Sequence, residues 1–200
     1  AFVGAAALGL GLASGDLALS LGTSGTAYCV ADRPSADPTG TVAGFADATG
    51  RYLPLVCTLN ATKVTDSIAR ILGVDPTALS DLALAAEPGA GGLVLVPHLD
   101  GERTPNRPGA TGTITGLCTT TTREQLARAA VEGVICNLLS GADSLRQVSP
   151  DLDTGRVVLI GGGAHSRAYR QVLADLSGRP VITPHAEELA AYRFEDMEPV

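Results

Sequence analysis

The run Leu17–Leu21, read LALSL, breaks at once into Gly22-Thr23-Ser24-Gly25, and no other stretch constrains this chain as tightly. A sheet half open to water would alternate apolar and polar residues. This run carries no charge and barely alternates, so it reads as a strand covered on both faces, the kind found in α/β layers. The break that follows is small and rich in hydroxyls. Such a turn lets the backbone approach a ligand closely and aim several N–H donors one way, as a phosphate requires. Thr26–Val30 reads as the returning strand, so the unit is a hairpin with hydroxyls at its tip. Taken alone, GTSG reads better as an ordinary hairpin turn.

A second unit of the same kind lies far along the chain. Val157–Ile160 is a buried apolar run that ends in Gly161-Gly162-Gly163-Ala164-His165-Ser166, and a helix to about Leu176 follows. Strand, glycine turn and helix N-terminus together form a geometry that binds phosphate or a nucleotide. It is neither common fingerprint. G-x-G-x-x-G starting at Gly161 would need glycine at Ser166, and no GK[ST] follows for a phosphate loop of the Walker type. One triple glycine is a weak signal, whereas two such turns after buried strands are a stronger one.

Elsewhere the spacing predicts a helical start around Ala5–Leu8, strands at Thr41–Phe45 and Tyr52–Thr58 around the turn Asp47-Ala48-Thr49-Gly50, and a strand at Arg179–Ile182. Asn60 is expected to cap a helix through Leu72 whose buried face holds Val64, Ile68, Ile71 and Leu72. The sequon Asn60-Ala61-Thr62 reads as that cap, because no secretory signal is evident. Asp75-Pro76 opens another helix. Leu93–Val96 predicts a strand with His98-Leu99-Asp100-Gly101-Glu102-Arg103-Thr104-Pro105 at its carboxyl end, where ligands of open α/β sheets sit. For Glu102 and Arg103 an ion pair fixing the loop is favoured slightly over ligand contact. The longest helix runs from a Thr122 cap to about Val148, and its hydroxyl-rich approach from Cys118 could face a ligand or be a plain cap.

Composition excludes several classes. With 45% hydrophobic and 18% charged residues over 200 positions, the chain can bury a proper core and is not disordered. A net charge of −7, with arginines scattered around a single Lys63, leaves no basic stripe for nucleic acid. The four cysteines lack metal-ligand spacing, and three sit in apolar segments where buried, reduced thiols are expected, which suits a cytoplasm. Ala1–Gly15 is apolar but broken by glycine, too short to span a bilayer and without the basic start of a signal peptide. It is expected to be cut from something longer.

Together GDLALSLGTSGT, ADPTGTVAGFADATGRYLPLVCTLNAT, PHLDGERTPN and VVLIGGGAHSRAYRQVLADLSGRPV resemble the C-terminal domain of the FGGY carbohydrate kinases, over roughly Ala5 to Leu189. The resemblance implies an α/β domain of the actin-like ATPase, ribonuclease-H-like class, with a mixed sheet flanked by helices, spanning residues 1–189. Residues 190–200 form a tail that departs from the family pattern. It also implies the ATP-binding half of a two-lobed kinase that moves the γ-phosphoryl group of ATP, with Mg²⁺, to a ketose. D-xylulose at its 5-hydroxyl comes first, ahead of kinases for ribulose, gluconate or glycerol.

On this resemblance Gly22, Thr23, Ser24 and Gly25 hold the β and γ phosphates. Gly162, Gly163, Ala164 and Ser166 surround the adenosine, and Thr120 and Glu124 fall near the ribose. GERTP shapes the sugar-facing wall. The family's general base, an aspartate, would fall near Phe2, so no catalytic residue is assigned in this chain and the isolated chain is expected to be inactive. A non-catalytic actin-like nucleotide-binding module is the rival reading. Metal contacts, and pairing with a second copy as a homodimer, stay open.

Overall fold

The computed structural model describes residues 2–47 and 49–184. Ala48 of the expected Asp47–Gly50 turn and the tail from residue 190 lie outside them. In chain order the elements are α1 (Phe2–Gly9), β1 (Leu17–Leu21), β2 (Gly25–Tyr28), β3 (Ala43–Ala46), β4 (Tyr52–Thr58), α2 (Thr62–Leu72), α3 (Pro76–Ala85), β5 (Val94–Val96), β6 (Thr113–Thr115), α4 (Arg123–Val148), β7 (Val157–Ile160), α5 (Arg167–Ser177) and β8 (Val181–Ile182).

Six strands form one mixed sheet in the order β3-β4-β2-β1-β7-β8. The hairpin β1–β2 pairs Leu21 with Gly25, and β2 continues antiparallel onto β4. On its other side β1 runs parallel to β7, with Leu19 opposite Leu159. Neither strand of that parallel pair is at an edge of the sheet, which explains the continuous apolar runs. Leu17, Leu19, Leu21, Val157 and Leu159 join one core with α2 to α5, whereas Ala18, Val158 and Ile160 join a second with Ala7 of α1. Both faces are covered, so no polar alternation is needed.

Helix ends follow local chemistry in most places. Asp75 caps α3 through Ala78 N, and Thr122 with Gln125 forms a capping box on α4. At α2 the expectation fails, because its N-cap is Ala61 with no side-chain bond, and Asn60 is turned inward to donate to Gly101 O and to Glu102. Ile71, expected in the core, is 70% exposed, while Val64 and Ile68 are buried. β5 is also not where its sequence suggests. It pairs only with β6, as a separate ribbon against α4, so the polar loop after it does not extend the main sheet's ligand edge. Of the cysteines expected to be buried, Cys29 is buried, Cys57 half-buried and Cys136 exposed, and all four thiols are free. Among the described residues no helix is long and apolar enough to cross a membrane.

The far end of the sheet is tied by one ion pair. Asp16, only 2% exposed, accepts from Arg156 at its backbone N (2.7 Å), Nε (3.0 Å) and Nη2 (2.6 Å), and from Ala13 N (3.0 Å). Burial pushes the Asp16 carboxyl up, but the hydrogen bonds and charge of Arg156 outweigh it and hold the group below its ordinary value.

Candidate functional site

Because β1 and β7 are parallel neighbours, their carboxyl ends release the two glycine turns at the same edge of the sheet. Both turns enter the wall of one cavity of about 570 Å³, a size suited to a small-molecule site. Gly22 and Thr23 come from the first turn, and Gly162, Gly163, His165 and Ser166 from the second. The rest of the lining includes Thr62, Thr65 and Asp66 of α2 and Pro76, Thr77, Leu79, Ser80 and Asp81 of α3.

The first turn is held from behind. Ala61 N donates to Thr23 O at 3.2 Å and Thr62 N to Gly22 O at 3.0 Å, while Gly22 N closes the turn onto Ser24 O at 3.0 Å. With the carbonyls taken by the start of α2, the amides of Thr23 and Ser24 have no hydrogen-bond acceptor among the described residues. Two adjacent unpaired N–H donors beside a helix N-terminus make an anion cradle.

The second turn is fixed by close approach. Gly161 has φ +88°, and a Cβ there would sit 2.6 Å from Leu21 O; one on Gly163 would sit 2.7 Å from Leu21 Cβ and 3.1 Å from Thr62 Cγ2. Only glycine lets this loop lie against the end of β1 and the start of α2. Gly162 differs, since a Cβ there would meet nothing within 4 Å and its φ is not positive. Folding does not demand glycine at 162, and its open side lines the cavity.

Ser166 caps α5, accepting from Tyr169 N at 3.4 Å, and its hydroxyl donates to Ser80 Oγ at 3.2 Å; Ala168 N also donates to Ser80 Oγ. The cap therefore also locks α5 to α3 along the cavity floor. Thr65 Oγ1 donates to Thr62 O, so the buried Tyr169 hydroxyl is the donor in its 3.0 Å bond to Thr65. Burial pushes the Tyr169 phenol well above its ordinary range, so it stays a neutral donor.

The remaining sequence candidates are dispersed. Ser24 is exposed at the turn tip, and Gly25 is buried beneath it, where a Cβ would meet Leu138 and Thr58. Ala164 packs on the main core. Thr120 and Glu124 do not line the cavity: Thr120 Oγ1 lies 3.3 Å from Cys118 Sγ, and Glu124 borders a neighbouring depression that shares only Asp81 with it. Hydrogen bonds from its own amide and from Thr122 lower the Glu124 carboxyl, so this side chain serves the start of α4. With Thr120 and Thr121 as hydroxyl partners, the exposed Cys118 thiol falls to about 7.

Glu102 makes no ion pair with the Arg103 side chain, contrary to expectation. It is 1% exposed and accepts four N–H bonds, from Leu59 N, Arg103 N, Asn60 Nδ2 and Asn137 Nδ2. Sequence reasoning also missed Thr65, Asp66 and Asp81 as cavity residues, because nothing in a helical stretch says which neighbour it will face.

Over residues 17–192 the sequence matches the model of the FGGY family of carbohydrate kinases, C-terminal domain. It is 51% identical over 187 residues to xylulose kinase of Streptomyces coelicolor, covering 94% of this chain and 37% of that protein. Gluconokinase of Bacillus subtilis is 31% identical over 188 residues, covering 87% of this chain and 36% of that protein. The crystal structure of xylulose kinase from Bifidobacterium adolescentis superposes with a TM-score of 0.85 at 47% identity, over 94% of this chain and 37% of that one. The chain thus spans little more than a third of the length of these relatives. Its mixed sheet flanked by helices is the actin-like ATPase fold expected from the sequence. The chain belongs to the FGGY family of carbohydrate kinases, and its matched residues are that family's C-terminal domain.

Proposed function

We propose that this chain is the nucleotide-gripping part of an ATP-dependent sugar kinase that phosphorylates D-xylulose at its 5-hydroxyl to give xylulose 5-phosphate. The observation that carries it is the meeting of two glycine turns, from parallel neighbouring strands, in one cavity. Phosphoryl transfer asks a protein mainly for positioning and charge stabilisation. The Thr23 and Ser24 amides, with Gly22 allowing close approach, take the β and γ phosphates, and Gly25 seats the turn on Leu138 and Thr58. Gly162, Gly163 and Ser166 give the adenosine a wall with little side-chain bulk, Ala164 backs that loop from the core, and Thr120 and Glu124, expected near the ribose, lie outside this cavity. Residues 1–189 act as one nucleotide-binding domain. Mg²⁺, which such transfers ordinarily use, finds no cluster of three His, Cys, Asp or Glu ligands among the described residues. Phosphate oxygens and water would have to complete its shell.

Support for xylulose over other sugars is the 51% identity to the Streptomyces coelicolor enzyme, against 31% for the Bacillus subtilis gluconokinase. The sugar contacts are assigned to the part of the relatives' length that this chain does not span, the general base expected near Phe2 has no acidic counterpart there, and a reducing cytoplasm suits the four free thiols. The test has two parts. Calorimetry on this chain with a non-hydrolysable ATP analogue should lose on the order of tenfold in affinity with Gly162→Val, whose added side chain would enter open space at the cavity; unchanged affinity removes the site. In the full-length parent, turnover should favour D-xylulose over gluconate and glycerol, and the opposite preference reassigns the sugar.

A further inference from the structure

Glu102 is a carboxylate buried without a cation. Taking a carboxylate out of water is costly, so such a group is retained only where its oxygens are fully engaged. Oε1 accepts from Leu59 N at 2.5 Å and Arg103 N at 2.8 Å; Oε2 accepts from Asn60 Nδ2 and Asn137 Nδ2, both at 3.0 Å. Both oxygens act only as acceptors. The Asn137 amide orientation is set by that bond, so its Oδ1 faces His98 Nε2 at 3.3 Å, which makes that ring nitrogen the donor. The second Asn60 hydrogen goes to Gly101 O at 2.7 Å. The carboxylate thus binds together the end of β4, the loop after β5 and the middle of α4.

What it grips most tightly is Leu59-Asn60, and the next two residues, Ala61 and Thr62, supply the N–H groups that hold Thr23 O and Gly22 O. A shift of this junction would therefore rotate the turn whose Gly22 and Thr23 line the cavity. We propose that Glu102 is a positioning residue for the phosphate-gripping turn, acting through Leu59–Thr62 on the aim of the Thr23 and Ser24 amides; the inference rests on the nucleotide reading above. Glu102 itself does not line the cavity.

Replacing the carboxylate by an amide keeps its shape and turns one acceptor into a donor facing the two asparagine donors. The test is an amide-resolved NMR titration of the chain with adenosine, ADP and AMPPNP. Glu102→Gln should leave adenosine affinity within about twofold and weaken AMPPNP on the order of tenfold, the effect of one misaligned hydrogen bond to a charged group. The Thr23 and Ser24 amides should respond less to AMPPNP. Asn60→Ser, which removes both side-chain donations but leaves Glu102 on Leu59 N, should act in the same direction, and it carries the test if Glu102→Gln does not fold. Equal weakening of adenosine and AMPPNP, or unchanged affinities in folded variants, would overturn the positioning role and leave the nucleotide reading standing. Failure of AMPPNP to bind the unsubstituted chain overturns both.

Discussion

Gly161 and Gly162 are neighbours with opposite tolerances. Alanine at 161 would carry a positive φ and drive Cβ against Leu21 O, so Gly161→Ala is expected to destabilise the chain by about 2 kcal/mol or more. Alanine at 162 meets open space, so Gly162→Ala should hold stability within about 0.5 kcal/mol while lowering nucleotide affinity. Thermal denaturation beside nucleotide titration separates the two, and the reverse pattern contradicts the assignment. At the other end of the sheet, Asp16 has a folded-state value held below the unfolded one. Its contribution is therefore present above the unfolded value, about 4, and fades as pH falls through the lower folded value. Asp16→Asn should cost about 2–3 kcal/mol at neutral pH, less than a fully buried pair because the Arg156 side chain is half exposed. It should also flatten the acid limb of a denaturant series taken from pH 6 to pH 3. An equal loss at both ends of that series would show that packing, not charge, is at work.

Elements with a local cause were legible in the sequence. The capping box at Thr122 needs only Thr122 and Gln125, so the start of α4 could be read from four residues. Thr122→Ala should cost about 1 kcal/mol, measured as a lower urea midpoint at unchanged slope. The buried strands β1 and β7 were legible for a similar reason, since a strand covered on both faces announces itself by composition alone. Asn60 was misread because a good capping residue competes with any buried acceptor, and its acceptor, Glu102, is 42 residues away. β5 was misread because three apolar residues look alike whether they join the main sheet or a side ribbon. Of the site, the two turns could be seen and the helical wall could not. A turn declares its function through glycine and hydroxyl content, whereas Thr65, Asp66 and Asp81 become cavity residues only once α2 and α3 pack.

At the scale of the molecule, stability should be graded around the central pair. β1 and β7 lie inside both cores, while β6 is exposed along its length and β3 presents Phe45 to solvent. Native-state hydrogen exchange is expected to be slowest in β1 and β7 and fastest in the β5–β6 ribbon and β3; uniform protection would contradict this grading. The close seating of Gly161 and Gly163 on Leu21 and Thr62 has one more result. The two grips share a single hydrogen-bonded spine and are wedged against each other, so neither can open like a hinge while the other stays shut. Under the nucleotide reading, this part of the protein is an anvil, whose two grips keep their spacing whatever they hold.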